Sequence, residues 1–173
     1  SETYGSAQVR ALSRATRPFL EQPPAGFAEH PLLSPRGTLV IGSAEQSEHI
    51  RAQYQTMAPH TRDLRLLDAA AAQAMVPVLK PEAAQSALFE PGAADIDVNA
   101  LHQGFLRGLR EKGGRLLTNI DIETIERTQG AWEIHGGDAL FRAPLLLNAA
   151  GAWADEVAQL AGVKPLGLQA RRR

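Results

Sequence analysis

Two stretches of the chain carry apolar residues at intervals of three and four, which places them on one face of a helix. In the first, Ser6–Leu20, Ser6 stands where an N-cap is expected. The second follows Asp97, another N-capping residue type, and ends before Gly113, where a left-handed C-cap fits. The apolar positions on the two faces are Val9, Leu12, Ala15 and Phe19, then Val98, Leu101, Phe105 and Leu109. The pattern predicts two amphipathic helices.

Short apolar and β-branched runs bounded by turn residues predict strands. They are Gly37–Gly42, Leu64–Leu67, Ser86–Glu90, Arg115–Thr118, Ile120–Glu126, Ala131–His135 and Ala139–Phe141. Gln129–Gly130 and Gly136–Asp138 separate the last three, where hairpin turns are expected, so these form a predicted β-meander. A further helix is expected up to Met57, beginning at Ser43 or Ser47. Asp68 is expected to cap the alanine-rich turn that follows it and ends before Pro77. The predicted fold is α/β or α+β, a mixed β-sheet with helices.

Composition narrows the possible functions. With 173 residues, 44% hydrophobic and 21% charged, the chain is large enough for one domain with an apolar core. A net charge of −1 gives no electrostatic basis for broad binding to nucleic acid or an anionic membrane. No apolar run approaches the roughly 20 residues of a membrane span. The absence of cysteine excludes disulfides and thiolate metal sites, and it is compatible with a cytoplasmic location. The five histidines are scattered along the chain, so no metal site is predicted.

The most informative stretch is Leu145–Gly162. Leu145–Leu147 is a non-alternating apolar run, typical of a strand buried on both faces. The small residues Asn148–Gly151 follow, and then a helix with the acidic Asp155 in its first turn. Small residues at a strand-to-helix turn let a ligand approach the backbone, and nucleotides dock at such crevices in open α/β sheets. A purely structural role for this turn is equally compatible with the pattern.

The segment Leu147–Ala154, followed by Leu160–Val163, is similar to the second flavin-contacting motif of the glycine/D-amino acid oxidase family. The order of elements upstream, from a strand over Leu33–Ile41 through the meander, also resembles that family. The resemblance implies a substrate-domain-like part of an FAD-dependent oxidoreductase. It implies one truncated domain over residues 1–173, with the substrate-binding region joined to part of the FAD-binding sheet at about 114–162.

The resemblance also implies which residues contact the cofactor. Ala149, Ala150 and Gly151 would line FAD with backbone atoms, and Ile122 matches a position whose main chain contacts the adenine. Trp153 is expected to pack its helix against the sheet. No catalytic side chain is expected, because the flavin performs the redox step while the protein positions the substrate.

The activity implied for the full-length parent is oxidation of the C–N bond of a small amino acid or amine by hydride transfer to flavin. Because these 173 residues contain no Gly-x-Gly-x-x-Gly loop, the segment alone is expected to bind FAD poorly and to be inactive. Two alternatives stay open, a non-enzymatic ligand-binding or interaction module and a flavin domain acting on modified tRNA bases. Neither the electron acceptor nor the oligomeric state follows from the sequence.

The terminal Arg171–Arg173 allows two interpretations. Arginine offers a bidentate fork that suits a substrate carboxylate. The alternative is a solvated chain end. The run Leu166–Arg173 is also expected to add a strand to the substrate-side sheet that contains Leu39 and Leu88.

Overall fold

A computed structural model describes residues 1–169, and their contacts divide the chain into two compact units, Ser1–Arg115 and Leu116–Arg173. The single truncated domain expected over residues 1–173 stays a prediction. The hypothesis on Arg171–Arg173 lies outside the described residues. Of the strand expected over Leu166–Arg173, the described part, Leu166–Gln169, forms no strand, and the rest lies outside the described residues.

The first unit combines helices with two antiparallel sheets. Its elements are α1 (Ala7–Glu21), β1 (Leu33–Pro35), β2 (Thr38–Gly42), α2 (Ser47–Met57), β3 (Arg65–Asp68), α3 (Ala69–Met75), β4 (Ser86–Glu90), β5 (Ala94–Ile96) and α4 (Val98–Glu111). Single 3₁₀ turns occupy Ala44–Gln46 and Pro81–Ala83. Strand β4 lies between β2 and β3, and β1 pairs with β5.

Side-chain caps set the starts of three helices in this unit. Ser6 Oγ accepts from the N–H of Val9 at 3.3 Å, and Asp68 and Asp97 each accept from an N–H three residues later at 2.8 Å. These bonds satisfy N–H groups that the first helical turn leaves without a partner. Gly113 ends α4 with φ +76°. The caps predicted from the sequence are confirmed.

The core of the first unit lies against the β2–β4–β3 sheet. Ile50 of α2 packs with Leu64 and Leu88, all at most 7% exposed. A second cluster places Ala72 of α3 against Ala87. Burial of these side chains supplies the main driving force for folding of the unit.

The strand Gly37–Gly42 predicted from the residue pattern is confirmed as β2, whereas the longer strand Leu33–Ile41 implied by the resemblance is wrong in extent. The run Leu33–Ile41 forms two strands in different sheets, because the chain turns at Gly37, which has φ +73°. A Cβ at Gly37 would stand 3.1 Å from a ring carbon of Phe89. Both this close approach and the positive φ favour glycine at the position.

The second unit contains the predicted β-meander and a short helix. Its elements are β6 (Thr124–Thr128), β7 (Ala131–Gly136), β8 (Ala139–Ala143), a 3₁₀ turn at Gly151–Trp153 and α5 (Ala154–Leu160). The strands pair antiparallel in sequence order. All strand pairs among the described residues are antiparallel, and the α+β class predicted from the sequence is confirmed.

Two further strands predicted in this region are wrong. Arg115–Thr118 and Leu145–Leu147 pair with no strand among the described residues. Instead of being buried, Leu145 and Leu147 are 69% and 79% exposed. A strand exists only through hydrogen bonds to a neighbour, and an apolar run alone does not supply one. The strand expected over Ile120–Glu126 begins only at β6.

Candidate functional site

The turn Asn148–Gly151 is held in shape by one carboxamide. Asn148 Nδ2 donates to the carbonyl oxygen of Ala154 at 2.7 Å, and its Oδ1 accepts from the N–H of Ala150 at 3.2 Å. The side chain therefore connects the turn to the helix that follows it. It also occupies the N–H of Ala150, so this amide is not available to a ligand in this conformation.

The main chain of the turn is open at Gly151. Gly151 has φ +58°, and a Cβ built there would meet no atom within 4 Å, its chain neighbours aside. Ala149 is exposed and Ala150 half-buried. No side chain of the described residues fills the space above Gly151. As the first residues of their helical segment, Gly151 and Ala152 have no carbonyl within it to receive their N–H groups.

Ile122 lies in the same unit as the turn, two residues before β6. Its side chain is 39% exposed. Helix α5, which the turn introduces, contacts β6. The segment before Ile122 lies close against β7, since a Cβ at Gly136 would approach the carbonyl oxygen of Asp121 to 2.8 Å. These contacts place Ile122 and the turn on neighbouring elements. That both of them contact the same FAD molecule stays a prediction.

Trp153 departs from its expected packing role. It is 65% exposed, so it does not fix α5 to the meander. The expectation came from its position on the apolar face of the helix, together with Val157 and Leu160. Among the described residues, nothing covers that end of the face.

Asp155 is an anchor that the sequence interpretation missed. Its carboxylate accepts the N–H groups of Leu166 at 2.9 Å, and of Gly167 and Leu168 at 2.7 Å each. The bond from Leu166 contributes most to holding the pKa of Asp155 below its usual range, with Leu168 and Gly167 adding to it against a smaller opposing effect of desolvation. Asp155 therefore ties the segment after α5 back onto that helix.

Glu90 is a second missed anchor, in the first unit. At 1% exposed, it accepts from Ser1 Oγ, the N–H of Glu2 and Thr3 Oγ1, each at 2.7 Å. Burial raises the pKa of Glu90, the three hydrogen bonds lower it, and the net shift of the pKa is below its ordinary value. The carboxylate is thus ionised and fully engaged. Its partners lie far away in the sequence, so no local pattern indicated them.

Residues 1–169 contain neither a cluster of metal ligands nor a helix suited to crossing a membrane. No group of three or more His, Asp and Glu side chains is arranged to hold a metal ion. No helix in this range has both the length and the apolar character needed to cross a membrane.

The whole chain, residues 1–173, matches the family model described as FAD dependent oxidoreductase. The chain belongs to this FAD-dependent oxidoreductase family. The resemblance noted in the sequence is thereby confirmed, as is FAD as the cofactor of the family.

Relatives of this FAD-dependent oxidoreductase segment are more distant in sequence than in fold. It is 28% identical to human mitochondrial dimethylglycine dehydrogenase over 106 residues, 61% of this chain and 12% of that protein. Glycine oxidase from Geobacillus kaustophilus superposes with a TM-score of 0.75 at 19% identity, covering 94% of this chain and 44% of that one. L-α-glycerophosphate oxidase from Mycoplasma pneumoniae with FAD bound superposes with a TM-score of 0.77 at 18% identity, covering 93% of this chain and 44% of that one.

The likeness to the two solved structures shows the fold of this FAD-dependent oxidoreductase segment. The chain spans less than half of each of those structures and about an eighth of the human relative. The open main chain at Gly151 fits a cofactor held through backbone contacts, because no side chain has to move to admit it.

Proposed function

We propose that this chain is the substrate-side part of an FAD-dependent oxidoreductase that oxidises the C–N bond of a small amino acid or amine. The observation that carries the proposal is the family match along all of residues 1–173. The chemistry supplied by bound FAD is acceptance of a hydride from the carbon that bears the nitrogen. In this proposal the residues of the chain hold cofactor and substrate, and none acts as an acid or base.

Two similar proteins support the substrate class. The human relative is a dimethylglycine dehydrogenase, and one structural neighbour is a glycine oxidase. The third protein is an oxidase of a glycerophosphate, so this fold alone does not select amines. The parent is proposed to act in the cytoplasm, although the human relative is a mitochondrial protein.

Expression of the full-length parent tests the activity. The protein is expected to be yellow, and its flavin absorbance is expected to bleach without oxygen when one amino acid or secondary amine of a panel is added. Glycerophosphate serves as the comparison substrate. A colourless parent that takes up no added FAD contradicts the proposal and favours the non-enzymatic ligand-binding module. A yellow parent bleached only by glycerophosphate contradicts the amine assignment.

Contact between FAD and the turn is tested by Gly151→Ala in the full-length parent. The matched control is Gly137→Ala in the meander, because Gly137 has φ +56° and equally open space around its Cβ position. Both variants carry the same left-handed strain, about 1–2 kcal/mol of stability. Only Gly151→Ala places a methyl group where the cofactor is proposed to lie, so we expect its FAD affinity to fall by about tenfold or more. Equal FAD affinities of the two variants would contradict the contact.

A further inference from the structure

The turn Asn148–Gly151 is held by hydrogen bonds and hardly by packing. Ala149, Gly151 and Ala152 are small and exposed, and Trp153 is 65% exposed. Burial of side chains therefore contributes little to the shape of the turn. Glycine also leaves the main chain more conformations than any other residue does. What fixes the turn has to be its hydrogen bonds.

Two of these hydrogen bonds come from Asn148, and they lie on either side of Gly151 along the chain. Oδ1 accepts from Ala150, the residue before Gly151, and Nδ2 donates to the carbonyl oxygen of Ala154, three residues after it. A bond from the N–H of Trp153 to the carbonyl oxygen of Ala150, at 3.1 Å, closes the same segment. The carboxamide thus joins both ends of the stretch that contains the left-handed Gly151.

The chemistry of these two bonds explains why the residue is asparagine. The bond to Ala150 needs an acceptor and the bond to Ala154 needs a donor, and a carboxamide carries one of each on a single plane. An ionised aspartate has no donor. A serine hydroxyl offers one oxygen in place of two separate polar atoms, so it retains at most the local bond to Ala150.

We propose that Asn148 is a positioning residue for FAD, which holds the main chain at Gly151 in the open conformation against which the cofactor lies. This inference rests on the proposed function, in which Ala149–Gly151 line FAD. Asn148 does not itself hold the cofactor, because its Oδ1 and Nδ2 are both bonded within the protein. A segment already held in its bound conformation loses less conformational entropy on binding, so Asn148 raises the affinity for FAD through preorganisation.

The FAD affinity of the full-length parent, after removal and re-addition of FAD, tests the proposal with uncharged variants. Asn148→Ala removes both bonds, and we expect the Kd for FAD to rise about tenfold. Asn148→Ser keeps an acceptor for the N–H of Ala150, so its Kd is expected to rise less, about threefold. The change in flavin fluorescence on binding measures the Kd. Asn99→Ala is the matched control and leaves the Kd unchanged, because this exposed carboxamide makes no side-chain hydrogen bond with a described residue.

Hydrogen exchange in the FAD-free parent tests the hold on the turn without the cofactor. A peptide that contains Ala150 is expected to exchange faster in Asn148→Ala than in the wild type, with Asn148→Ser between them, since the N–H of Ala150 loses its acceptor. The Tm of the FAD-free protein is expected to fall by no more than about 2 °C, because water replaces exposed hydrogen bonds. Unchanged exchange overturns the proposal. So does a fall in Tm as large as that of Leu88→Ala, because Asn148 would then support the fold as a whole.

Gly151→Ala separates this inference from the proposed function. Weaker FAD binding by both Gly151→Ala and Asn148→Ala, with Asn99→Ala unchanged, supports the proposal. If only Gly151→Ala weakens binding, FAD contacts the turn without the help of Asn148, and this inference alone is overturned. If neither variant changes the affinity of a parent that binds FAD, the cofactor does not lie at the turn, and the inference falls with that contact. A parent that takes up no FAD contradicts the proposed function itself.

Discussion

The two units differ in how completely they cover their own apolar side chains. In the first, Ile50, Leu64 and Leu88 are at most 7% exposed beneath α2. In the second, Leu145 and Leu147 stand 69% and 79% exposed, although the run that contains them is as apolar as any core strand. The first unit builds its core from its own residues. The second carries apolar segments whose partners are not among the described residues.

The same contrast holds for the two anchoring carboxylates. Glu90 and Asp155 each accept three hydrogen bonds, and in both the folded chain lowers the pKa. Glu90 is almost fully buried, whereas Asp155 is near the surface. Water replaces lost hydrogen bonds more readily at the surface, so equal numbers of bonds do not imply equal contributions to stability.

Leucine truncations in the two units test the contrast most strongly. Leu88→Ala is expected to lower the free energy of unfolding by about 2–5 kcal/mol, because it empties a packed core. In the 173-residue chain, Leu147→Ala is expected to change it by less than about 0.5 kcal/mol. In the full-length parent we expect about 2 kcal/mol for Leu147→Ala, measured by urea denaturation, since there the run gains partners. An equally small effect in the parent would show that the run stays exposed.

Glu90→Gln tests the buried anchor. The amide cannot accept from all three donors, and we expect a loss of about 2 kcal/mol of unfolding free energy at neutral pH. Glu29→Gln, at an exposed loop position, controls for the change of charge. Limited proteolysis is expected to cut near Thr3 faster in the Glu90 variant. Similar unfolding midpoints for the two variants would contradict the role of Glu90.

Asp155→Asn is expected to have the smallest effect, visible in the pH dependence of stability. Because folding lowers the pKa of Asp155, its stabilising contribution is present above its unfolded pKa of about 3.9 and is lost as pH falls through the lower folded value. The wild type is therefore expected to lose stability over this acidic range, and the variant to lose less. Thermal unfolding between neutral and acidic pH measures the difference. Parallel pH profiles would contradict the anchor.

Sequence predicted best the features that depend on nearby residues. The caps at Ser6, Asp68 and Asp97 were correct, because a cap is decided by one side chain and an N–H three residues away. The limits of β4 were also correct. The extent of β2 was also predicted, since Gly37 and Gly42 bound its apolar run.

The features that sequence did not predict depend on distant partners. Whether Leu145–Leu147 forms a buried strand is decided by a neighbouring strand, and apolar composition carries no information about one. Glu90 meets residues 1–3 across almost the whole first unit, and Asp155 meets Leu166–Leu168 beyond the end of its helix. For the candidate cofactor turn, sequence located the small residues but gave no indication that Asn148 occupies the N–H of Ala150.

The order of strands in the two units has a consequence for how quickly each forms. In the meander every strand pairs with the next one along the chain through a tight turn. In the first unit Thr38 of β2 pairs with Glu90 of β4, and two helices and a strand lie between them in the sequence. Closing the longer loop loses more chain entropy before any contact compensates for it, so the meander is expected to acquire protection from hydrogen exchange in pulse-labelling experiments before β2 does.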